Sequence, residues 1–179
     1  GYEADDIIGT IAKQAEKESF KVYMVTPDKD FAQLVSKNIF MYKPSRLGNG
    51  IEIWGIDEVK KKFEVDDPLQ VIDYLGMMGD SSDNIPGLPG VGDKTAKKFI
   101  STYGNIENLL KNTEQLKGKL KERIENNKHL GILSKKLATI QLDVPVKFNS
   151  NDCIFGEMND KSVLKIFEEL EFNRLIETY

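Results

Sequence analysis

Residues 79–96 have the sequence GDSSDNIPGLPGVGDKTA, and two kinds of chemistry meet in this stretch. Asp80 and Asp83 stand three positions apart, a spacing that puts both carboxylates on one face of a helical turn. A Gly/Pro-rich hairpin follows them and opens a helix at Asp93. Glycines let the backbone approach a ligand, and a helix N-terminus favours anions, so the hairpin predicts a phosphate site. The stretch therefore predicts a protein that cuts a nucleic-acid strand with metal ions.

The composition is that of an ordinary globular protein. The chain has 179 residues, with 40% hydrophobic and 30% charged side chains, which suits one domain or one domain with a sub-domain. It has no apolar run of membrane-spanning length and no signal-peptide pattern, so we expect no membrane partner and a cytoplasmic location. The single cysteine, Cys153, excludes an internal disulfide, and the single histidine, His129, argues against a His/Cys zinc site.

The net charge of −4 is unevenly distributed along the chain. Residues 91–136 contain eleven Lys/Arg and five Asp/Glu, a local balance of +6, so the other residues carry −10. This asymmetry predicts a basic face beside an acidic pocket. Lysines that only keep amphipathic helices soluble would give the same balance, so the charge alone does not decide between the two interpretations.

Helical and strand patterns alternate before residue 56 and give way to helices after it. The early elements are a helix over 4–18, strands over 20–26, 39–42 and 51–54, a short helix between the first two strands, and a turn at 46–50. The later helices cover 57–63, a segment starting at Pro68, 93–103, 106–111, 116–126, 128–140, 160–170 and 172–178, with an extended segment at 142–146. Such alternation predicts an α/β sheet with ligands at the carboxyl ends of its strands. We expect an α/β core over 1–78, a helix-hairpin-helix over 79–140 and a C-terminal segment, 141–179, that packs back on the core.

Three acidic clusters fall at the ends of predicted elements. They are Glu3, Asp5 and Asp6 at the first helix, Asp28 and Asp30 after the first strand, and Asp80 and Asp83 before the hairpin. Each cluster alone has an ordinary explanation as a dipole complement, a solvated turn or an N-cap. Three together favour a shared pocket, and Mg²⁺ sites are built from a few carboxylates of separate segments. Without metal the acids repel one another, so we expect some of them to have a raised pKa.

Other motifs fit less well. The Asp28–Asp30 pair lacks the Gly and Glu of an EF-hand loop, and Asp93 separates Lys94 from the glycine that a P-loop requires before it. Paired carboxylates could serve a glycosidase, but the hairpin and the basic helices would then have no role. A non-catalytic helix-hairpin-helix module that binds duplex DNA needs the basic helices and not the acids, and it stays open as the alternative.

Four motifs resemble successive motifs of the 5′ nuclease family, in the same order and spacing: GYEADD (1–6), TPDKD (26–30), GDSSDNIPG (79–87) and GVGDKTA (90–96). Within the family, the four motifs look like those of the 5′→3′ exonuclease domains of bacterial DNA polymerases. The resemblance implies a partial Rossmann-like (PIN-like) sheet followed by a helix-hairpin-helix (H3TH) sub-domain. It also implies a structure-specific nuclease that cuts 5′ ends and flaps of branched or nicked duplex DNA with two Mg²⁺ ions, or Mn²⁺ in their place.

The resemblance also implies roles for particular residues. The metal-binding and catalytic acids would be Glu3, Asp5, Asp6, Asp28, Asp30, Asp80 and Asp83. The residues that bind DNA would be Gly87, Gly90, Val91, Gly92, Lys94, Thr95, Lys97 and Lys98, with K⁺ held by backbone carbonyls of the hairpin.

The start of the chain departs from the family pattern. Position 1 is Gly and falls inside a motif, whereas the family's domain begins earlier, with a strand that carries further metal-site Asp residues and with a helical arch. We therefore expect a monomeric piece of a longer chain that also carries a polymerase domain. Alone, this piece should be inactive or nearly so, while its hairpin still binds DNA.

Overall fold

The computed structural model describes residues 1–44, 50–156 and 160–179. The chain forms two compact units, Gly1–Phe148 and Asn149–Tyr179. The helices of the first unit are α1 (Ala4–Lys17), α2 (Ile56–Phe63), α3 (Gln70–Met78), α4 (Asp93–Tyr103), α5 (Ile106–Lys111), α6 (Gly118–Asn126) and α7 (Lys128–Ala138). Its strands are β1 (Val22–Val25), β2 (Ile39–Pro44) and β3 (Ile51–Trp54), with short 3₁₀ helices at Lys29–Leu34 and Thr113–Gln115. The second unit has a 3₁₀ helix at Ser150–Cys153, α8 (Asp160–Glu169) and α9 (Asn173–Thr178).

The described strands form one sheet in the order β1-β2-β3. β1 is parallel to β2, with Val22 opposite Ile39, and β2 is antiparallel to β3, with Met41 opposite Trp54. The central strand buries Ile39 and Met41 completely, as its alternating apolar pattern requires. This mixed sheet with its surrounding helices confirms the predicted α/β class, and the parallel pair places the loop after β1 at a carboxyl edge.

One hydrophobic core joins the sheet to the helices. It extends from Ala12 on α1 through Met41 to Leu109 and Ile124 on α5 and α6. α3 lies at the centre of this core and packs on α7. The two helices approach closely at Gly76, where a Cβ would come within 2.8 Å of the backbone of Lys135. The predicted division of the chain at residues 78 and 140 stays a prediction.

Most predicted helices form, several of their ends shift by one or two residues, such as the start of α6 at Gly118 instead of residue 116, and two of the shifts have identifiable reasons. The prediction that Pro68 starts a helix was wrong by two residues, because the Asp67 carboxylate accepts the Leu69 N–H at 2.8 Å and holds a turn before α3. α7 ends at Ala138, before the predicted Ile140, because the Ile140 N–H donates to Gln33 Oε1 at 3.0 Å instead of to a helical carbonyl. The predicted turn at 46–50 lies, except for Gly50, outside the described residues.

The segment after α7 runs along α1. Gln14 binds it at two points, donating to the Val146 carbonyl at 2.9 Å and accepting the Phe148 N–H at 2.7 Å. The segment was expected to be extended, and within the described ranges it pairs with no strand. Among the described helices, none has both the length and the apolar character needed to cross a membrane.

Candidate active site and nucleic-acid interface

Three separate segments of the chain bring carboxylates to one cleft. The segments are the start of α1, the loop after β1 and the turn after α3. The cleft has a volume of about 480 Å³ and is closed on one side by the end of α7. Its acidic lining consists of Glu3, Asp5, Asp6, Asp28, Asp30 and Asp83. Six of the seven acids predicted from the sequence therefore line the same cleft.

The turn after α3 differs from its predicted form. The backbone N–H of Asp80 donates to the Ile85 carbonyl at 2.9 Å, and the Ile85 N–H donates back to the Asp80 carbonyl at 2.7 Å. Asn84 closes the loop with a left-handed φ of 57°. The prediction that Asp80 and Asp83 share the face of a helical turn was therefore wrong. The loop leaves Asp83 in the lining of the cleft and directs Asp80 to a different partner.

The partner of Asp80 is Lys29. The lysine Nζ binds Asp80 Oδ2, while Asp80 Oδ1 accepts hydrogen bonds from the N–H of Ser82, at 2.8 Å, and from its hydroxyl. The hydrogen bond from Lys29 and those from Ser82 lower the pKa of Asp80 to about 2. The same Nζ lies 3.7 Å from Asp30 Oδ1. Lys29 thus joins two of the predicted acids, and sequence reasoning did not single it out.

Asp30 is the most perturbed acid of the cleft. Its pKa is raised to about 6, first by burial and also by the charges of Asp28, Asp80 and Asp83, against the opposing charge of Lys29. The pKa of Asp5 is also raised, first by burial and then by the charge of Asp28. The expectation that some of the acids titrate high is confirmed for these two, whereas Asp80 shows the opposite shift because a lysine is bound to it.

Asp6 has a structural task within the cluster. Its Oδ2 accepts the backbone N–H of Glu3 at 3.1 Å, which caps the start of α1. Its Oδ1 accepts the backbone N–H of Gln141 at 2.8 Å and so attaches the segment after α7 to α1. Asp28 likewise caps the 3₁₀ helix that follows it, by accepting the Asp30 N–H at 3.1 Å. Part of the acidic cluster therefore shapes the cleft as well as charging it.

The donor chemistry of the cleft fits a hard divalent cation. Asp30 Oδ1 is buried and accepts no hydrogen bond, and the Lys29 Nζ that faces it stays 3.7 Å away, so a cation in closer contact would offset the cost of burying this oxygen. All the acidic side chains offer oxygen, the ligand that Mg²⁺ prefers. Within the described part of the chain, however, no three acidic, His or Cys side chains stand close enough to form a finished ligand set. The carboxylates thus line one cleft without standing close enough to one another, in that part of the chain, to complete a metal site.

The hairpin between α3 and α4 is anchored from behind. Gly87 has a φ of +66°, and a Cβ there would lie 2.6 Å from the backbone nitrogen of Gly79. Leu88 and Val91 are buried in the core, and the Leu88 N–H donates to the Met77 carbonyl at 2.8 Å. Gly87, through its backbone, and Val91, through its buried side chain, thus hold the loop in place, although both were predicted to bind DNA.

The outer side of the hairpin consists of backbone and lysines. In the described residues the N–H groups of Gly90 and Gly92 have no acceptor within the chain, and Gly92 is the N-cap of α4. Lys94 and Lys98 are exposed on α4, and Thr95 is half-buried. Lys97 is committed elsewhere, because its Nζ lies 3.2 Å from Asp93 and 3.5 Å from Glu64.

Arg123 on α6 extends this basic surface, and sequence reasoning missed it. Its guanidinium lies 3.0 Å from the position that a Cβ on Gly90 would occupy. The side chain is exposed, and no carboxylate pairs with it in the ranges that the structure describes. The only signal in the sequence is the excess of basic residues over 91–136, which does not show which of them reach the hairpin.

Comparisons with known proteins match nearly the whole chain to nucleases. Residues 1–64 match the family model of the 5'-3' exonuclease, N-terminal resolvase-like domain, and residues 66–161 match that of the 5'-3' exonuclease, C-terminal SAM fold. DNA polymerase I of Bacillus subtilis (strain 168) is 42% identical over 177 residues, which are 98% of this chain and 20% of that protein. The 5'-3' exonuclease of Buchnera aphidicola is 37% identical over 94% of this chain and 59% of its own length. The chain thus spans only part of the relatives that it matches.

Solved structures give the same result at the level of the fold. T5 5'-exonuclease with bound divalent zinc ions superposes with a TM-score of 0.65 and 25% identity, over 77% of this chain and 50% of that one. The catalytic core of Rad2 in complex with a DNA substrate superposes with a TM-score of 0.61 over 90% of this chain and 56% of that one. At 16% identity the Rad2 match supports the fold alone.

Proposed function

The chain belongs to the 5′-3′ exonuclease family, and from this premise we propose that it supplies the greater part of a structure-specific 5′ nuclease site within a longer DNA polymerase I chain. The proposed reaction is the hydrolysis of a DNA phosphodiester at a 5′ end or flap, during replication and repair in the bacterial cytoplasm. One observation carries the proposal: three segments of the chain bring six carboxylates to one cleft, where Asp30 Oδ1 is buried without a hydrogen bond.

A binding module has no use for that arrangement. Burying Asp30 among other acids raises its pKa to about 6, which means that its ionised form destabilises the metal-free protein. Such a cost is typical of functional sites, where acids are held ready for a cation. The basic hairpin alone would suffice to bind duplex DNA, so the non-catalytic alternative leaves the acidic cleft unexplained.

We propose that Asp28, Asp30, Asp80 and Asp83 hold two divalent ions, with Glu3, Asp5 and Asp6 completing the charge of the site. Mg²⁺ or Mn²⁺ bound there would lower the pKa of a water and stabilise the charge of the phosphate in the transition state. Asp30 offers the ion its Oδ1, which accepts no hydrogen bond, and Asp6 attaches the segment after α7 to α1 beside the cleft. K⁺ at the hairpin carbonyls stays part of the proposal, supported by the resemblance alone.

The hairpin would bind the sugar–phosphate backbone of the duplex beside the cleft. The N–H groups of Gly90 and Gly92 and the start of α4 offer donors to a phosphate, and Lys94 and Lys98 add charge. Arg123 would reach the same backbone from α6, next to Gly90. Such contacts position a duplex without reading its sequence, as a nuclease that recognises DNA structure requires.

Substitution of Asp83 tests the proposal in the longer chain. Asp83 lines the cleft, and no hydrogen bond to its side chain is present in the described residues, so Asp83→Asn should leave the fold intact. We expect the variant to bind a 5′-flap duplex as the parent does and to cleave it at least a hundredfold more slowly, roughly the loss of one important electrostatic group. Asp66→Asn, an exposed acid in the turn before α3, is the matched control and should cleave normally. Unchanged cleavage by Asp83→Asn would support the binding module instead.

A further inference from the structure

Lys29 occupies an unusual place among the acids. It lies between Asp28 and Asp30 in the sequence, and its Nζ binds the carboxylate of Asp80, 51 positions further along the chain. Its Nζ also lies 3.7 Å from Asp30 Oδ1. The Asp80 side chain is only 8% exposed and that of Asp30 13%, whereas the Lys29 side chain keeps 38% of its surface in contact with solvent. The lysine thus reaches two partly buried acids while its own side chain is more exposed than theirs.

Lys29 is also the one cation paired with the acids of the cleft, among the residues that the structure describes. Lys136 contributes to the lining of the cleft, but it forms no ion pair in that part of the chain. The charge of Lys29 therefore compensates a group of carboxylates that would otherwise repel one another. An ammonium is a compact point charge on a flexible stem, so it can leave without any change in the backbone.

A divalent ion bound at Asp80 and Asp30 would compete with Lys29 for the same oxygens. A metal ligand must present its lone pair to the ion at about 2 Å, and Asp80 Oδ2 at present accepts from the lysine. If both cations stayed, two positive charges would lie within a few ångström of each other in a site that is partly shielded from solvent. If the lysine side chain turned towards solvent, Asp80 and Asp30 would both be available to the ion.

We propose that Lys29 is a built-in counter-ion, which holds Asp80 and Asp30 together in the metal-free protein and which a divalent ion displaces from Asp80. This inference rests on the metal requirement of the proposed function. Lys29 then has two opposite effects: it stabilises the metal-free chain and it weakens the binding of metal. A lysine that only packs against the cleft would have the first effect and not the second.

Metal binding by the Lys29→Met variant tests the proposal. Methionine keeps most of the length of the side chain and removes the charge. Isothermal titration of the 179-residue chain with Mn²⁺, without DNA, should give a dissociation constant roughly tenfold lower for Lys29→Met than for the parent, because a nearby positive charge is gone. The melting temperature without metal should fall, and the increase on adding Mn²⁺ should be larger than in the parent.

Two further variants separate displacement from general effects. Lys29→Arg keeps the charge and should bind Mn²⁺ within about twofold of the parent. Lys13→Met removes a half-buried lysine of α1 whose Nζ lies 3.3 Å from Glu16 Oε2. This pair is not part of the cleft, so the variant should have a lower melting temperature and an unchanged Mn²⁺ affinity. Equal or weaker Mn²⁺ binding by Lys29→Met would overturn the proposal, and so would the absence of binding in every variant. Because no DNA is present, this outcome is independent of whether Asp83→Asn abolishes cleavage.

Discussion

The hydroxyl oxygen of Ser134 accepts a hydrogen bond from the backbone N–H of Gly87 at 2.8 Å, and this contact joins α7 to the hairpin. Ser134 is completely buried. Two residues further along α7, Lys136 lines the acidic cleft. The helix α7 therefore contacts both the hairpin, which is proposed to bind the duplex, and the acidic cleft, which is proposed to hold the nuclease site. In the proposed nuclease, this contact would fix the distance between the two.

Substitution of Ser134 by Ala should destabilise the protein. The Gly87 N–H would stay buried without an acceptor, which costs about 1–3 kcal/mol. For a chain of this size the melting temperature should fall by roughly 3–10 °C, measured by circular dichroism. Ser101→Ala, on the exposed face of α4, is the control and should change it by less than about 2 °C. Equal effects of the two variants would mean that the hydrogen bond contributes little.

Gly87→Ala should be more severe than Gly92→Ala. Gly87 combines a φ of +66° with a Cβ position only 2.6 Å from the Gly79 nitrogen, so both the backbone and the neighbouring turn would have to move. We expect a loss of more than about 3 kcal/mol in the free energy of unfolding by urea. Gly92 has a φ of −111° and an open Cβ position, so its replacement should cost less than about 1 kcal/mol. Comparable losses at the two glycines would contradict this explanation of the hairpin.

Elements with local stop signals were predictable from the sequence. α4 and α5 begin and end where the pattern placed them, because Gly104 with its φ of 77° ends the first and the Asn105 side chain accepts the Asn108 N–H at 2.8 Å to start the second. The sequence also identified the acids that meet in the cleft, since each cluster lies at an element end and such ends gather at one edge of a sheet.

Features that depend on contacts between distant residues were not predictable. The spacing of three positions between Asp80 and Asp83 fits a helical turn and a tight loop equally. The chain forms the loop, in which Asn84 has a left-handed conformation. The pairing of Lys29 with Asp80 spans 51 positions, and the pairing of Lys97 with Glu64 depends on how α4 packs near the end of α2. No local pattern in the sequence contains these contacts.

Asp30→Asn should stabilise the metal-free protein at neutral pH. The pKa of Asp30 is about 6 in the folded chain against 3.8 for the free side chain. Between these two pH values the folded state binds more protons than the unfolded state. The contribution of Asp30 to the free energy of unfolding therefore falls as the pH rises from about 4 to 6. The full penalty is on the order of 3 kcal/mol above pH 6, since one pKa unit corresponds to about 1.4 kcal/mol. Asparagine resembles the protonated acid and avoids this penalty.

The difference between the parent and Asp30→Asn isolates that contribution. In urea unfolding the variant should be more stable by about 1–3 kcal/mol at pH 7.5, and the difference should vanish near pH 4. Asp80 acts in the opposite direction, because its pKa is lowered to about 2 and its stabilisation is lost only as the pH falls below about 4. Mn²⁺ should raise the melting temperature of the parent and not of the variant. A variant that is less stable than the parent at pH 7.5 would show that the Asp30 carboxylate is not under strain.

Lys94 and Lys98 should contribute to DNA binding through phosphate contacts alone. Both are exposed on α4, whereas Lys97 between them is paired with Asp93 and Glu64. In fluorescence anisotropy with a nicked duplex, the double variant Lys94→Gln and Lys98→Gln should bind more weakly. The slope of log affinity against log salt should become shallower by about 2, because each phosphate contact releases close to one counterion.

Lys37→Gln is the matched control for this measurement. Lys37 is exposed before β2, at the sheet edge opposite the loop that carries Asp28. Its loss changes the net charge without removing a proposed contact, so the affinity should fall only slightly, through weaker long-range attraction, while the slope stays within about 0.3 of the parent. The slope rather than the affinity is therefore the decisive quantity: a general charge effect would lower affinity in all the variants, whereas direct contacts lower the slope only where a lysine reaches a phosphate. An unchanged slope in the double variant would remove α4 from the duplex-binding surface and leave Arg123 and the backbone of the hairpin to account for it.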